Sequence, residues 1–146
     1  MQKRFFIFLI LGLIFLVPAA QAQEISGLAE LEVDLWPEYD RPDVLVIYKA
    51  KLPANVSLPV DVTLKIPAAS GEPYAVAVRQ MDGALLNAAY DRQVQGDWAL
   101  ITITATMPEI QLEYYDPQIT MEGGGRRDYT YVWPGNYAVD VMRFER

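Results

Sequence analysis

Three groups of residues have types and spacings suited to chemistry. The first is MEGGGRRD at 121–128, three consecutive glycines in front of Arg126 and Arg127. Converging backbone N–H groups in a glycine loop can cradle an anion, but a phosphate cradle also needs a helix N-terminus or a Gly-Lys-Ser/Thr run behind it. The residues that follow, YTYVW at 129–133, alternate like a strand. The loop therefore reads as a φ-permissive connection between two strands. Arg126 and Arg127 remain candidate ligand contacts, as a docking point for a carboxylate on a partner.

The second group is aromatic. The chain has three tryptophans and nine tyrosines, and two Trp-Pro elements, LWPEYD at 35–40 and YVWPGN at 131–136, sit next to loops. Exposed rings of this kind stack on sugars in carbohydrate-binding sandwiches, and Trp36, Tyr39 and Trp133 are the candidates. The plainer reading makes such rings core or rim residues whose polar atoms find local partners.

The third group is acidic: Glu30, Glu32, Asp34, Glu38, Asp40 and Asp43. Calcium needs ~6–8 oxygens converging on one point. On a strand, Glu30, Glu32 and Asp34 share a face at ~7 Å steps, too far apart to share an ion. The loop trio Glu38, Asp40 and Asp43 is then the weak calcium candidate, and the strand acids read as a solvated face. A pair of acids for glycoside hydrolysis stays open as a distant alternative among 19 acidic residues, yet one small sandwich offers little room for a deep cleft. The expectation is a protein that is not an enzyme and uses no cofactor.

Composition narrows the chemistry further. With no cysteine and no histidine, thiolate or imidazole zinc sites, Ser-His-Asp and Cys-His nucleophiles, histidine haem ligation and imidazole pH switches are all excluded. No disulfide can staple the fold. The N-terminus has a secretory pattern: Lys3 and Arg4, an apolar run from Phe5 to Val17, then Ala20-Gln21-Ala22. Residues 1–22 are expected to be a cleaved signal peptide. Removing them from the 146 leaves 124 and shifts the formal charge from −7 to −9. An acidic exported domain is a poor partner for nucleic acid. A membrane connection is expected only through an uncleaved signal or a further anchor. Asn55-Val56-Ser57 matches a glycosylation sequon, a pattern too short to carry weight.

The elements that must position these residues are strands. LEVDLW, VDVTLKI, EIQLEYY and YAVDVMRF alternate apolar and polar side chains with period two. The last is expected to set Tyr137, Val139 and Val141 against Ala138, Asp140 and Met142. Residues 43–52 and 98–107 are apolar on both faces, as in central strands. Residues 74–80 and 84–90 flank Asp82-Gly83, a hairpin signal, with a single helical turn as the alternative for 84–90. Pro108 divides the stretch 98–115 into two strands. Ten prolines and nine glycines punctuate these runs. The expected fold is all-β, an antiparallel β-sandwich of Greek-key type with seven to nine strands, over 23–146 as a single domain.

Gly135-Asn136-Tyr137-Ala138-Val139-Asp140-Val141 resembles the tyrosine-corner strand of immunoglobulin-like modules in exported bacterial proteins. The chain as a whole resembles the first extracytoplasmic domain of uncharacterised bacterial envelope proteins. The resemblance implies an immunoglobulin-like sandwich and a tyrosine hydroxyl bonded to upstream backbone. The cysteine pair and core tryptophan of antibody domains are missing. It also implies one more strand after the tyrosine-led one; either the strand order differs from that scheme, or the chain is a fragment that would expose an unpaired edge. Taken together, the expected function is a secreted or periplasmic, non-catalytic binding or assembly module. It would act through protein contacts at an edge strand or at the loops 36–43 and 116–128. The alternative is carbohydrate binding to an envelope polysaccharide.

Overall fold

A computed structural model describes residues 25–146; the expected signal peptide lies outside the described residues. Eleven strands follow in order: β1 (Gly27–Pro37), β2 (Val44–Lys51), β3 (Val60–Pro67), β4 (Ala75–Arg79), β5 (Leu85–Asn87), β6 (Tyr90–Gln95), β7 (Trp98–Ala105), β8 (Glu109–Asp116), β9 (Thr120–Met121), β10 (Arg127–Asp128) and β11 (Ala138–Glu145). Strands β5, β9 and β10 are only two or three residues long. The two-residue β9 and β10 lack the length to show a period-two pattern and β6, YDRQVQ, is mostly polar, which is why the count exceeds the seven to nine expected from sequence.

The strands form an all-β sandwich. One sheet has the order β11-β1-β2-β8-β4-β5 and faces a three-stranded sheet, β3-β7-β6; β9 and β10 make a separate hairpin. The inward residues of both sheets meet in one apolar cluster, including Leu31, Val33, Val46 and Leu112 from the first and Val62, Leu64, Ile101 and Ile103 from the second. Strand β2 is central and buried on both faces from Val44 to Tyr48. Pro108 separates β7 and β8 and sends the chain from one sheet to the other, while its carbonyl accepts the Leu52 N–H at 2.8 Å. Asp82-Gly83 makes the β4–β5 turn, with Gly83 at φ +87° and Asp82 Oδ1 accepting the Ala84 N–H at 3.0 Å. Residues 85–87 thus form a strand and not a helical turn.

Two features depart from the sequence expectation. Strand β11 pairs with β1 in parallel, Leu28 beside Val139 and Asp34 beside Glu145. A parallel pair needs a long crossover, and residues 117–137 supply it. Second, Met142 and not Val141 packs on the core. Leu28 and Leu31 on β1 lie three residues apart, as do their neighbours Val139 and Met142 on β11. The strict alternation therefore breaks in both strands together.

The crossover also closes the sandwich. After the β9–β10 hairpin, Tyr129, Tyr131, Trp133 and Tyr137 pack against the core from an extended segment that joins neither sheet. Tyr131 donates to the Tyr48 hydroxyl at 3.0 Å, Tyr48 and Tyr114 hydroxyls are 3.0 Å apart, and Trp133 meets the Tyr48 ring edge-on at 6.0 Å. Near the other end of this strap, the Tyr137 hydroxyl accepts the Thr63 N–H on β3. Tyr137 does bond to upstream backbone, but across the sandwich and not within its own corner. No helix among the described residues is long and apolar enough to cross a membrane.

Candidate functional site

The end of the sandwich where β1 stops and β2 starts gathers most of the sequence-identified residues. The β1–β2 loop is a tight excursion: Glu38 N–H donates to Asp43 O at 2.9 Å, and Glu38 takes φ +54°, a left-handed conformation rare for a residue with a Cβ. Trp36 and Tyr39 flank it. They are 40% and 63% exposed, and their rings lie 5.2 Å apart with planes inclined by 59°.

The loop is tied down on two sides. Over the outer face of the six-stranded sheet, Tyr115 donates its hydroxyl to Asp40 Oδ1 at 2.7 Å, and the Arg41 guanidinium lies 3.3 Å from the Tyr115 ring centroid. The hydrogen bond to Asp40, and then burial, push the Tyr115 hydroxyl up to about 12. Underneath, Leu45, Ile47 and Tyr115 form a small buried cluster of their own. On the other side Arg127 pairs with Glu38 and donates Nε–H to Met121 Sδ at 2.9 Å. The glycine loop is the tip of the β9–β10 hairpin, with Gly124 and Gly125 at φ +82° and +80°. It presents Arg127 to the β1–β2 loop, while Arg126 stays with Glu122 (3.7 Å) and Asp128 (3.1 Å).

The remaining candidates are placed differently. Trp133 is half-buried against Tyr48, away from Trp36 and Tyr39. Glu38, Asp40 and Asp43 each have their own partner: Arg127, the Tyr115 hydroxyl, and Arg41 at 3.4 Å.

A charged floor beside Trp36 escaped the sequence reading. Carboxylate oxygens of Glu32, Asp34 and Glu145 lie within 4.8 Å of one another. The Lys49 ammonium sits 2.5 Å from Glu32 Oε1 and 2.8 Å from Asp34 Oδ2. The strand-step distance suggested that Glu32 and Asp34 stand too far apart to act together. Their side chains instead converge on Lys49, opposite Glu32 on β2, and Glu145 joins them from β11. One-strand spacing holds no signal for this, because it depends on which strands are neighbours. Burial pulls the Lys49 ammonium down, but hydrogen bonds to Asp34 and then Glu32 outweigh it, so the group is raised and stays charged. Asp34 is only 4% exposed, and its Oδ1 has no partner.

Asp34, Trp36, Tyr39, Lys49, Glu145 and Arg146 line an open groove of about 460 Å³. Its wall is aromatic and its floor has both hydrogen-bond acceptors and a donor. That arrangement can hold a flat apolar face against polar groups. Comparison with protein-family models, with curated proteins and with solved structures finds no match.

Proposed function

We propose that the chain is an exported, non-catalytic β-sandwich that binds a protein partner in the cell envelope through its loops 36–43 and 116–128. The observation that carries this reading is the joining of the two loops by Arg127, which bonds both Glu38 and Met121. The result sets Met121 and Arg127 beside the β1–β2 loop that Trp36 and Tyr39 flank. Aromatic residues, Met and Arg are the types enriched where proteins meet, and Trp, Tyr and Arg dominate binding energy. The secretory pattern at 1–22 and the likeness of 135–141 to tyrosine-corner strands of envelope modules support the location.

A photo-cross-linking residue at Tyr39, compared with one at exposed Gln93 on β6, tests this in whole cells of the source. A discrete adduct is expected from position 39 alone and is expected to be lost with Arg127→Glu. Adducts from both positions, or from neither, would remove the protein reading.

Carbohydrate binding is the second reading, favoured by the Trp36–Tyr39 pair beside Asp34, Lys49 and Glu145. Tryptophan quenching by an envelope polysaccharide fragment, lost in Trp36→Ala, would favour it over the first. A glycan panel that leaves the fluorescence unchanged would eliminate it.

A further inference from the structure

A second cleft opens between the ends of the two sheets, apart from the Trp36 groove. It encloses about 420 Å³ and is walled by Trp98 at the start of β7, Tyr114 on β8 and Tyr131 on the strap. Asp116 and Asp97 also line it, and neither Lys nor Arg does. Asp116 is 5% exposed. Its oxygens accept the Gln118 N–H at 3.0 Å and the Tyr129 hydroxyl at 2.9 Å, two neutral donors. Burial first, and then the Asp116 charge and hydrogen bond, hold the Tyr129 hydroxyl protonated. Among the described residues no Lys or Arg forms an ion pair with Asp116 or Asp97. The guanidinium on neighbouring β6, Arg92, is turned to the carbonyls of Gly71 and Ala68 and lies 3.9 Å from Glu72.

A buried carboxylate without a counter-charge is costly, and aromatic faces attract cations by ~0.5–2 kcal/mol each. A bare divalent ion would need ~6–8 oxygens, and Asp97 and Asp116 are the two carboxylates among the residues that line this cleft beside Trp98, Tyr114 and Tyr131. We propose that the cleft between Trp98, Tyr131 and Asp116 binds an organic ammonium ion. The cation takes the charge position facing Asp116, and its alkyl groups lie against the rings.

Calorimetry on the purified protein, with choline, n-butylammonium and the neutral choline isostere 3,3-dimethyl-1-butanol, tests this. At least one ammonium is expected to bind about ten-fold or more tightly than the isostere, a difference of ~1.4 kcal/mol. Preference for choline identifies a free quaternary amine, and preference for n-butylammonium a lysine side chain of a partner; either outcome supports the cleft as an ammonium site. Asp116→Asn and Trp98→Leu are each expected to weaken binding about ten-fold, and Trp36→Ala to leave it unchanged. If Asp116→Asn fails to fold, Trp98→Leu and the isostere comparison decide. Equal affinity for the isostere, no heat up to about 10 mM ligand, or wild-type binding by both variants would overturn the proposal. The loop surface at Tyr39 is tested on other residues, so either reading can fail alone.

Discussion

The phenolic oxygen of Tyr137 accepts the backbone N–H of Thr63 at 3.1 Å, a bond between residues 74 apart in sequence. Asn136 completes it by donating Nδ2–H to the Thr63 carbonyl at 2.7 Å. Strand β3 is an outer strand of its sheet, so these two side chains give Thr63 the bonds that a further strand would supply. They also blunt an edge open to pairing with another chain. Tyr137→Phe is expected to cost about 1 kcal/mol and Asn136→Ala about 1–2 kcal/mol in urea unfolding, with the slope unchanged. Losses below ~0.3 kcal/mol for both would show that the clamp does not contribute to stability.

The tyrosine hydroxyls inside the sandwich make stability sensitive to alkali. Burial is the first cause raising Tyr48, Tyr114, Tyr129 and Tyr131 above the ordinary tyrosine value. A group whose folded value is raised contributes stability in full below its unfolded value, near 10, and loses it as pH climbs toward the folded value. Stability is therefore expected to be level through neutral pH and to fall progressively above pH ~10. Absorbance at 295 nm should show a block of tyrosines ionising together with the loss of near-ultraviolet circular dichroism. A titration complete before any loss of structure would contradict the buried hydroxyl chain.

Lys49 is the counter-charge for Asp34 and Glu32. Lys49→Met keeps the stem but leaves three carboxylates within 4.8 Å, one of them buried. Breaking a fully buried pair costs ~3–5 kcal/mol. The Lys49 side chain is 38% exposed, so solvent screening reduces the expected loss to about 2 kcal/mol. Adding Asp34→Asn should recover part of it, and a double variant no better than Lys49→Met would refute the charge argument. In the wild-type chain a chelator is expected to leave the melting temperature unmoved.

Gly27 permits the close approach of β11. A Cβ at Gly27 would stand 2.8 Å from the Ala138 carbonyl oxygen, and backbone cannot move aside cheaply. Gly27→Ala is expected to cost about 1–3 kcal/mol and to speed amide exchange along β11 more than along β2. At Gly124 the same change meets open space at φ +82°. Its cost of about 1 kcal/mol should be conformational and confined to the hairpin tip.

Glu38 links backbone strain to the proposed surface. Glycine adopts φ +54° without penalty, so Glu38→Gly is expected to leave stability unchanged or raise it by up to ~1 kcal/mol. The same change unties Arg127 and should abolish the cross-link from position 39. Cross-linking at the wild-type level would show that the joined loops are not the contact surface.

The amino-acid sequence by itself determined the class of fold and the chemistry that is impossible. Side-chain direction alternates along a strand, so LEVDLW and VDVTLKI declare an inward face without help from neighbours, and Asp82-Gly83 and Pro108 act on backbone dihedrals locally. The lack of histidine and cysteine needs no coordinates at all. The candidate site was legible only in part. Tyr39 stands in a loop, and Trp36 and Arg127 at strand ends beside loops, where a ring or a guanidinium is a local signal, and the two loops do meet. Trp133 shares its face with Tyr131, and only the course of the strap turns that face onto Tyr48. Alternation records which face a residue takes, but not which strand lies beside it or in which direction. The tertiary structure alone decided that β11 runs parallel to β1, bringing Glu145 to Asp34 and Lys49. It also decided that Asp116 lies buried beside Trp98, Tyr114 and Tyr131 with no ion pair to a Lys or Arg among the described residues, because long-range pairing depends on how the whole core closes.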